Sequence, residues 1–148
     1  MTDGDRVGPD TLRIQRTFRA PAQAVFDAWT SPEVLRRWWH AEHAWETPIA
    51  RVDLRPGGEV YLVMRNPEDG REYAGRGEFT LIDPPRRLAF TWVWESDHPR
   101  EQLVDVEFIA HGESTTVVMT HSGVPESETD DYDAGWQASF DNLAAALA

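Results

Sequence analysis

The hydropathy pattern of this chain changes period after Pro125, and that change is the feature that most restricts its fold. Between Pro48 and Ser122, turn signals separate segments in which apolar and polar residues alternate, as is typical of antiparallel strands. Beyond Pro125 the spacing is helical, with one narrow apolar stripe: Tyr132, Trp136, Phe140, Leu143 and Leu147. A sheet with one apolar face needs a cover, and this helix is the only predicted element long enough to supply it. We therefore predict an α+β fold in which a curved sheet encloses the helix, with a hollow between them unless side chains fill it.

Two short helices are predicted between the first strand and the rest of the sheet. Leu12, Ile14 and Phe18 share one parity and indicate the first strand, although Arg16 interrupts the apolar alternation. The segment APAQAVFDAWT then has helical spacing, and SPEVLRRWW begins with a good N-cap and a proline suited to the first helical position. With the first strand included, the sheet is expected to contain about seven strands.

Length and charge restrict the class of partner. The 148 residues suit one domain, which we expect to span residues 11–148 after a flexible tail at residues 1–10. The chain has no cysteine, so disulfides, thiolate metal sites and cysteine nucleophiles are excluded. A net charge of −12 disfavours nucleic acid and anionic membranes as partners. No signal peptide or membrane span is predicted, which favours a cytoplasmic location.

Strand parity predicts which side chains face the hollow. One face of a predicted strand carries Leu88, Phe90, Trp92 and Trp94. The same alternation predicts the inward-facing side chains of the other strands. The parity of the strand that carries Gly75 and Gly77 is ambiguous, because paired glycines can mark a bulge. The candidate ligand-binding residues are Trp38, Trp39, Met64, Tyr73, Trp92, Trp94, Met119, His121, Trp136 and Phe140. Large inward residues are also ordinary core, so both interpretations of the tryptophans remain open.

Few residues in the sequence are suited to catalysis or to binding a metal ion. His121 is the one titratable group predicted to face inward, as a satisfied core residue, a hydrogen-bond partner of a ligand, or an acid–base catalyst. His40 and His43 could hold a metal with Glu42, but no third ligand follows at a typical spacing. We therefore predict no metal and no cofactor, and nucleotide and hydrolase motifs are absent.

Five stretches of the chain together resemble a known family. They are RTFRAPAQAVFDAWTSPEVLRRWW, DLRPGGEVYLVMR, DPPRRLAFTW, THSG and GWQASFDNLAAAL. They are similar, in this order, to the bacterial relatives of the activator of the heat-shock protein 90 ATPase. That family lies in the START-like, Bet v 1-like (SRPBCC) superfamily, and the resemblance implies the helix-grip fold with an internal cavity. The chain departs from the family at residues 40–43, where a Gly-Pro turn commonly follows the paired tryptophans.

Three functions are compatible with these observations. The first is binding of a small hydrophobic ligand, aromatic or lipid-like, in the cavity. The second is an enzyme of the cyclase, hydratase or lyase type acting on a polyketide-like substrate, with His121 as acid or base. The third is a chaperone-associated role in the stress response. A weak homodimer is also expected, because seven tryptophans are more than one such cavity readily accommodates.

Overall fold

The structure, a computed structural model, describes residues 4–42, 44–95 and 100–148, and only the backbone of residues 4–7. Its strands are β1 (Gly4–Gly8), β2 (Thr11–Phe18), β3 (Glu46–Val52), β4 (Glu59–Arg65), β5 (Glu72–Asp83), β6 (Arg87–Trp94), β7 (Gln102–His111) and β8 (Ser114–Ser122). Its helices are α1 (Ala22–Thr30), α2 (Pro32–Trp38) and α3 (Thr129–Leu147), and a short 3-10 turn at Glu126–Glu128 precedes α3.

All the strands form one antiparallel sheet in the order β1-β2-β8-β7-β6-β5-β4-β3. The helices α1 and α2 follow β2 and lead to β3, so they carry the chain from one side of the sheet to its far edge. The long helix α3 comes after the last strand and packs against the rest of the molecule. This arrangement confirms the predicted α+β helix-grip fold.

One strand at the edge of the sheet was not predicted. The strand β1 pairs with β2, with Gly4 opposite Ile14, inside the segment expected to be a flexible tail. Its sequence GDRVG has no apolar alternation, so hydropathy gives no sign of it. Without β1, the outer edge of β2 would leave its backbone N–H and C=O groups unpaired, and pairing with them needs no particular side chains. Within the described residues the sheet therefore has eight strands, where about seven were expected.

The two short helices begin and end close to the predicted positions. Val25 and Phe26 in α1 are buried, as the helical spacing requires. Ser31 occupies the N-cap of α2 and Pro32 the first helical position, although the Ser31 side chain makes no capping hydrogen bond. The helix ends at Trp38, and Trp39 is its C-cap. The paired tryptophans therefore occupy different positions, one inside the helix and one at its exit.

The helix α3 is held in place by its apolar stripe and by polar contacts at both sides. Phe140 and Leu143 are completely buried, and Tyr132, Trp136 and Leu147 are partly buried against the core. Arg16, which interrupts the apolar pattern of β2, binds α3 through Asp141 at 2.6 Å and Gln137 at 2.9 Å. This explains the interruption, because that position of β2 faces the helix. In the part of the chain that the structure describes, no helix has both the length and the apolarity to cross a membrane.

Candidate ligand-binding pocket

A cavity of about 480 Å³ lies between strands β4 to β7, the end of β8 and the first turns of α3. Its size is in the range of small-molecule sites. From the sheet it is lined by Met64, Tyr73, Phe90, Trp92, Trp94, Gln102, Val104 and His121, and from α3 by Asp131, Tyr132, Gly135, Trp136 and Ser139. Trp39, His40 and Ala41, at the exit of α2, complete one side. The helix is therefore one wall of a cavity whose other walls are the sheet and the loop after α2.

Seven of the residues predicted from strand and helix parity line this cavity: Trp39, Met64, Tyr73, Trp92, Trp94, His121 and Trp136. The other three, Trp38, Met119 and Phe140, do not line it and are completely buried in the core. Trp38 faces α1, where its indole N–H donates to the carbonyl oxygen of Ala28 at 3.0 Å. Consecutive residues of a helix point in different directions, so Trp38 and Trp39 do not face the same surface. Phe140 lies one turn beyond Trp136 and packs edge-on against Phe18 instead.

Three tryptophans form the aromatic wall of the cavity. The ring of Trp39 stacks on Trp94 with centroids 5.8 Å apart and contacts Trp92 edge-on at 5.3 Å. Trp92 and Trp94 also meet edge-on, at 5.3 Å. Trp92 is 3% exposed, whereas Trp94 is only partly buried. The core and cavity interpretations of these tryptophans are thus not alternatives, since each ring packs on its neighbours through one surface and faces the cavity with another.

Gly75 makes room for this wall. A Cβ atom at Gly75 would overlap the six-membered ring of Trp92, so the indole lies directly over the backbone of β5. At Gly77 a Cβ atom would overlap the carbonyl group of Thr91 instead. The register shift of this strand pair lies between Phe79 and Leu81, away from both glycines. The glycines therefore mark close approaches and not the bulge.

Gly75→Ala is expected to destabilise the protein by about 1–3 kcal/mol, because the Trp92 ring must move to admit the methyl group. Gly135→Ala is the matched control, since a Cβ there would meet Ala41 at an ordinary 3.5 Å. Replacing a helical glycine with alanine stabilises by up to about 1 kcal/mol, so this variant should be as stable as the parent or more stable. Urea denaturation followed by circular dichroism measures both, and equal effects would contradict the assignment of Gly75.

Four side chains form a directional hydrogen-bonded chain, which we call the relay: Trp136, His121, Gln102 and Tyr132. The indole N–H of Trp136 donates to Nδ1 of His121 at 3.0 Å. Because an indole nitrogen can only donate, Nδ1 is unprotonated and the ring proton is on Nε2. Nε2 then donates to Oε1 of Gln102 at 2.6 Å. This fixes the amide orientation, so the Gln102 nitrogen donates to the Tyr132 hydroxyl at 2.9 Å.

The relay and the burial of His121 together determine the protonation state of its ring. The side chain is 2% exposed, and burial lowers its pKa to about 4. It is therefore neutral near pH 7, and both ring nitrogens are bonded to protein partners. Of the predicted roles, the satisfied polar residue fits these contacts. A direct bond from His121 to a ligand would require one of these two hydrogen bonds to break.

Tyr132 is the polar group of the cavity that the sequence analysis missed as a functional residue. It belongs to the predicted apolar stripe of α3, and only its position one turn before Trp136 hints at a shared face. Burial raises the pKa of Tyr132, while the hydrogen bond from Gln102 acts in the opposite direction. Gln102, at the start of β7, was missed as well. It lies directly opposite Trp92 in the β6–β7 pair.

The rim of the cavity carries an excess of negative charge. The lining residues include the carboxylates of Glu72, Glu95, Glu128 and Asp131 and one guanidinium, that of Arg100. Glu95 forms an ion pair with Arg76, and the guanidinium of Arg100 lies 3.8 Å from the carboxylate of Asp10. An anionic ligand would therefore approach a surface of its own sign.

The histidines after α2 have structural contacts where they are described. Nδ1 of His40 lies 3.1 Å from the Thr47 hydroxyl, which itself donates to the carbonyl oxygen of Trp39. The carbonyl oxygen of His40 accepts a hydrogen bond from Ser139 of α3 at 2.8 Å. His43 lies outside the described residues. Within the described ranges, no group of three or more histidine, aspartate or glutamate residues is placed to hold a metal ion.

The family model described as Activator of Hsp90 ATPase homolog 1-like protein matches residues 19–148 of the chain. No curated protein matches the chain. The match begins at the end of β2 and continues through α3, so it includes every residue that lines the cavity.

Solved structures from three bacteria are similar to this one. The AHSA1 protein from Silicibacter pomeroyi is 28% identical, with a TM-score of 0.81, covering 93% of this chain and 96% of that one. The AHSA1-like protein from Aeromonas hydrophila is also 28% identical, with a TM-score of 0.75 and 91% of each chain covered. A protein from Chromobacterium violaceum has a TM-score of 0.87 over 94% of this chain and 98% of that one, but at 21% identity the likeness concerns the fold alone.

Proposed function

Since the chain belongs to the family of Activator of Hsp90 ATPase homolog 1-like proteins, we propose that it binds a small hydrophobic, aromatic molecule between its sheet and α3. The observation that carries this proposal is the cavity of about 480 Å³ with a wall of three tryptophans. Broad aromatic surfaces with a few placed polar groups are the usual composition of such sites.

The composition of the wall favours a flat ligand over a flexible chain. Trp39 and Trp94 stack at an interplanar angle of 27°, while Trp92 meets both at steep angles, so the three rings form a corner. A planar ring placed in that corner would stack on one indole and meet another edge-on, the two geometries that aromatic pairs prefer. Met64, in β4, adds an adaptable surface to the lining.

Binding is favoured over the enzyme alternative by the state of His121. A cyclase, hydratase or lyase using His121 would need a ring nitrogen within reach of substrate, and both are engaged by Trp136 and Gln102. The chaperone-associated role, the cytoplasmic location and the weak homodimer stay predictions. The core and the cavity accommodate six of the seven tryptophans. The seventh, Trp45, stacks on Tyr73 with ring centroids 5.4 Å apart. The number of tryptophans is therefore a weaker argument for a dimer than the sequence alone indicated.

Trp92→Ala is expected to weaken binding of 2-ethylnaphthalene at least tenfold, as judged by isothermal titration calorimetry. The substitution removes a large apolar contact, and loss of about 1.5–3 kcal/mol of apolar burial corresponds to a factor of ten or more. Trp94→Ala should weaken binding as well. Because Trp94 is only partly buried, this substitution should destabilise the fold less than Trp92→Ala.

Trp45→Ala is the matched control, because Trp45 stacks on Tyr73 but does not line the cavity. Its affinity for 2-ethylnaphthalene should stay within about twofold of the parent, a change of less than about 0.5 kcal/mol. Circular dichroism of each variant separates a lost site from a lost fold. If the folded parent protein gives no binding heat and no quenching of tryptophan fluorescence up to the solubility limit of the probe, the proposed function is wrong.

A further inference from the structure

The polar end of the cavity presents hydrogen-bond donors, and the relay determines this. A tyrosine hydroxyl can donate one hydrogen bond and accept two, and a glutamine amide can orient either its oxygen or its nitrogen toward a neighbour. Here the oxygen of Gln102 is taken by His121, so the nitrogen faces Tyr132. The hydroxyl of Tyr132 accepts that bond, and its own hydrogen is not used in it.

The direction of the relay originates at Trp136. If the amide of Gln102 were turned around, its nitrogen would face Nε2 of His121, and both ring nitrogens would then have to act as acceptors. A neutral imidazole carries one proton, so that arrangement is excluded while the Trp136 N–H occupies Nδ1. The indole N–H of Trp136 thus determines whether the Tyr132 hydroxyl, one helical turn away, is free to donate to a ligand.

The hydrogen of the Tyr132 hydroxyl has no acceptor assigned to it among the described residues. The hydrogen bond recorded for this oxygen is the one that it accepts from the Gln102 nitrogen. Tyr132, Gln102 and Trp94 all line the cavity. An acceptor on a bound molecule is therefore the natural partner for that hydrogen, and it would lie beside the aromatic wall.

We propose that the ligand is a neutral planar aromatic molecule with a carbonyl or similar hydrogen-bond acceptor at one end, which the Tyr132 hydroxyl binds as a donor. This rests on the proposed function and specifies its ligand class. The charges at the rim separate a carbonyl from a carboxylate. Four carboxylates and one guanidinium line the cavity, so an aromatic acid is repelled where a ketone is not.

The test compares two probes that differ in the acceptor, 2-acetylnaphthalene and 2-ethylnaphthalene. Tyr132→Phe keeps the ring and removes the hydroxyl. It should weaken binding of 2-acetylnaphthalene about three- to tenfold, the effect of one hydrogen bond, and leave the affinity for 2-ethylnaphthalene within about twofold. Tyr61→Phe makes the same chemical change outside the cavity, beside Arg51 and Arg76, and should alter neither affinity.

A second variant tests whether Trp136 determines the direction of the hydrogen bonds in the relay. Trp136→Phe keeps an aromatic ring but removes the indole N–H, which frees the His121 tautomer and the Gln102 amide to reorient. It should reduce the preference for the ketone over the hydrocarbon, measured as the ratio of the two dissociation constants, although Tyr132 is intact. A role of Trp136 in packing alone would lower both affinities and leave that ratio unchanged.

The outcomes distinguish this inference from the proposed function. If 2-ethylnaphthalene binds the parent and Tyr132→Phe changes both affinities equally or neither, the donor role is wrong while the cavity remains a binding site. If neither probe binds the parent, the proposed function is wrong and this inference falls with it. A third probe, 2-naphthoate, should bind more weakly than 2-acetylnaphthalene, with a gap that narrows as salt is raised. Tighter binding of the acid would overturn the assignment of a neutral ligand.

Discussion

Phe140→Ala is expected to lower the free energy of unfolding by about 3–5 kcal/mol. The ring is completely buried, with centroids 5.8 Å from Phe18, 6.0 Å from Trp29 and 5.8 Å from Trp136. It therefore joins β2, α1 and α3, and its removal leaves a void that elements from three parts of the chain would have to fill together. Urea denaturation, extrapolated to water, gives the loss directly.

Two further variants qualify this expectation. Phe140→Leu retains most of the volume and should cost clearly less than the alanine variant. Leu81→Ala removes a side chain that is 39% exposed, and should cost less than about 1 kcal/mol. If Phe140→Ala lost no more than Leu81→Ala, then α3 would not be packed on the sheet through this residue, and the helix-grip description of the core would be contradicted.

Acidification is the second large effect expected. His121 has a pKa of about 4 in the folded protein, lowered by burial from the ordinary 6.5. Between these values the unfolded chain binds a proton that the folded chain does not, so stability falls as the pH decreases from 6.5 to 4. The loss amounts to about 3 kcal/mol. The contacts agree with this direction, because a proton on Nδ1 would face the N–H of Trp136.

Carboxylates also titrate near pH 4, so the contribution of His121 must be isolated by substitution. His121→Gln should flatten the dependence of unfolding free energy on pH between 6.5 and 4, even if it lowers stability at pH 7. His111→Gln is the control, since His111 is exposed and contacts Thr116 outside the relay, and it should retain the full acid loss. A parent protein whose unfolding free energy is constant over that range would contradict the burial argument.

The fold was predictable because its main elements differ in hydropathy period. The change after Pro125 separates the sheet from α3, and the spacing of Ala22, Val25 and Phe26 separates α1 from the strands. The strand β1 was not predictable, since an edge strand needs only backbone pairing and GDRVG carries no period. Strand parity predicted the large aromatic and sulfur side chains that β4, β5 and β6 contribute to the cavity, because side chains two residues apart share a face.

Two properties of the site could not be predicted: whether an inward-facing residue lines the cavity or lies in the core, and the direction of the hydrogen bonds. Strand parity and helical spacing placed Met119 and Phe140 facing inward, and both are completely buried. Neither pattern says whether an inward position lines the cavity or lies in the core beside it. Parity gave His121 an inward position without its partners, because Gln102 lies in β7 whereas Tyr132 and Trp136 lie in α3. Which atom of the relay meets a ligand depends on contacts that no single segment contains.

The indole of Trp92 lies over the backbone of β5 only because residue 75 has no side chain. A side chain at residue 75 would overlap the indole, so the ring, which borders the cavity, would have to move. The width of the proposed binding site therefore depends on position 75, which does not itself line the cavity. Related chains could come to prefer narrower molecules through one substitution at residue 75, with every lining side chain and the whole relay retained. In the proposed binding site, selectivity for ligand size would thus depend on a backbone position in β5, and selectivity for polar groups on α3.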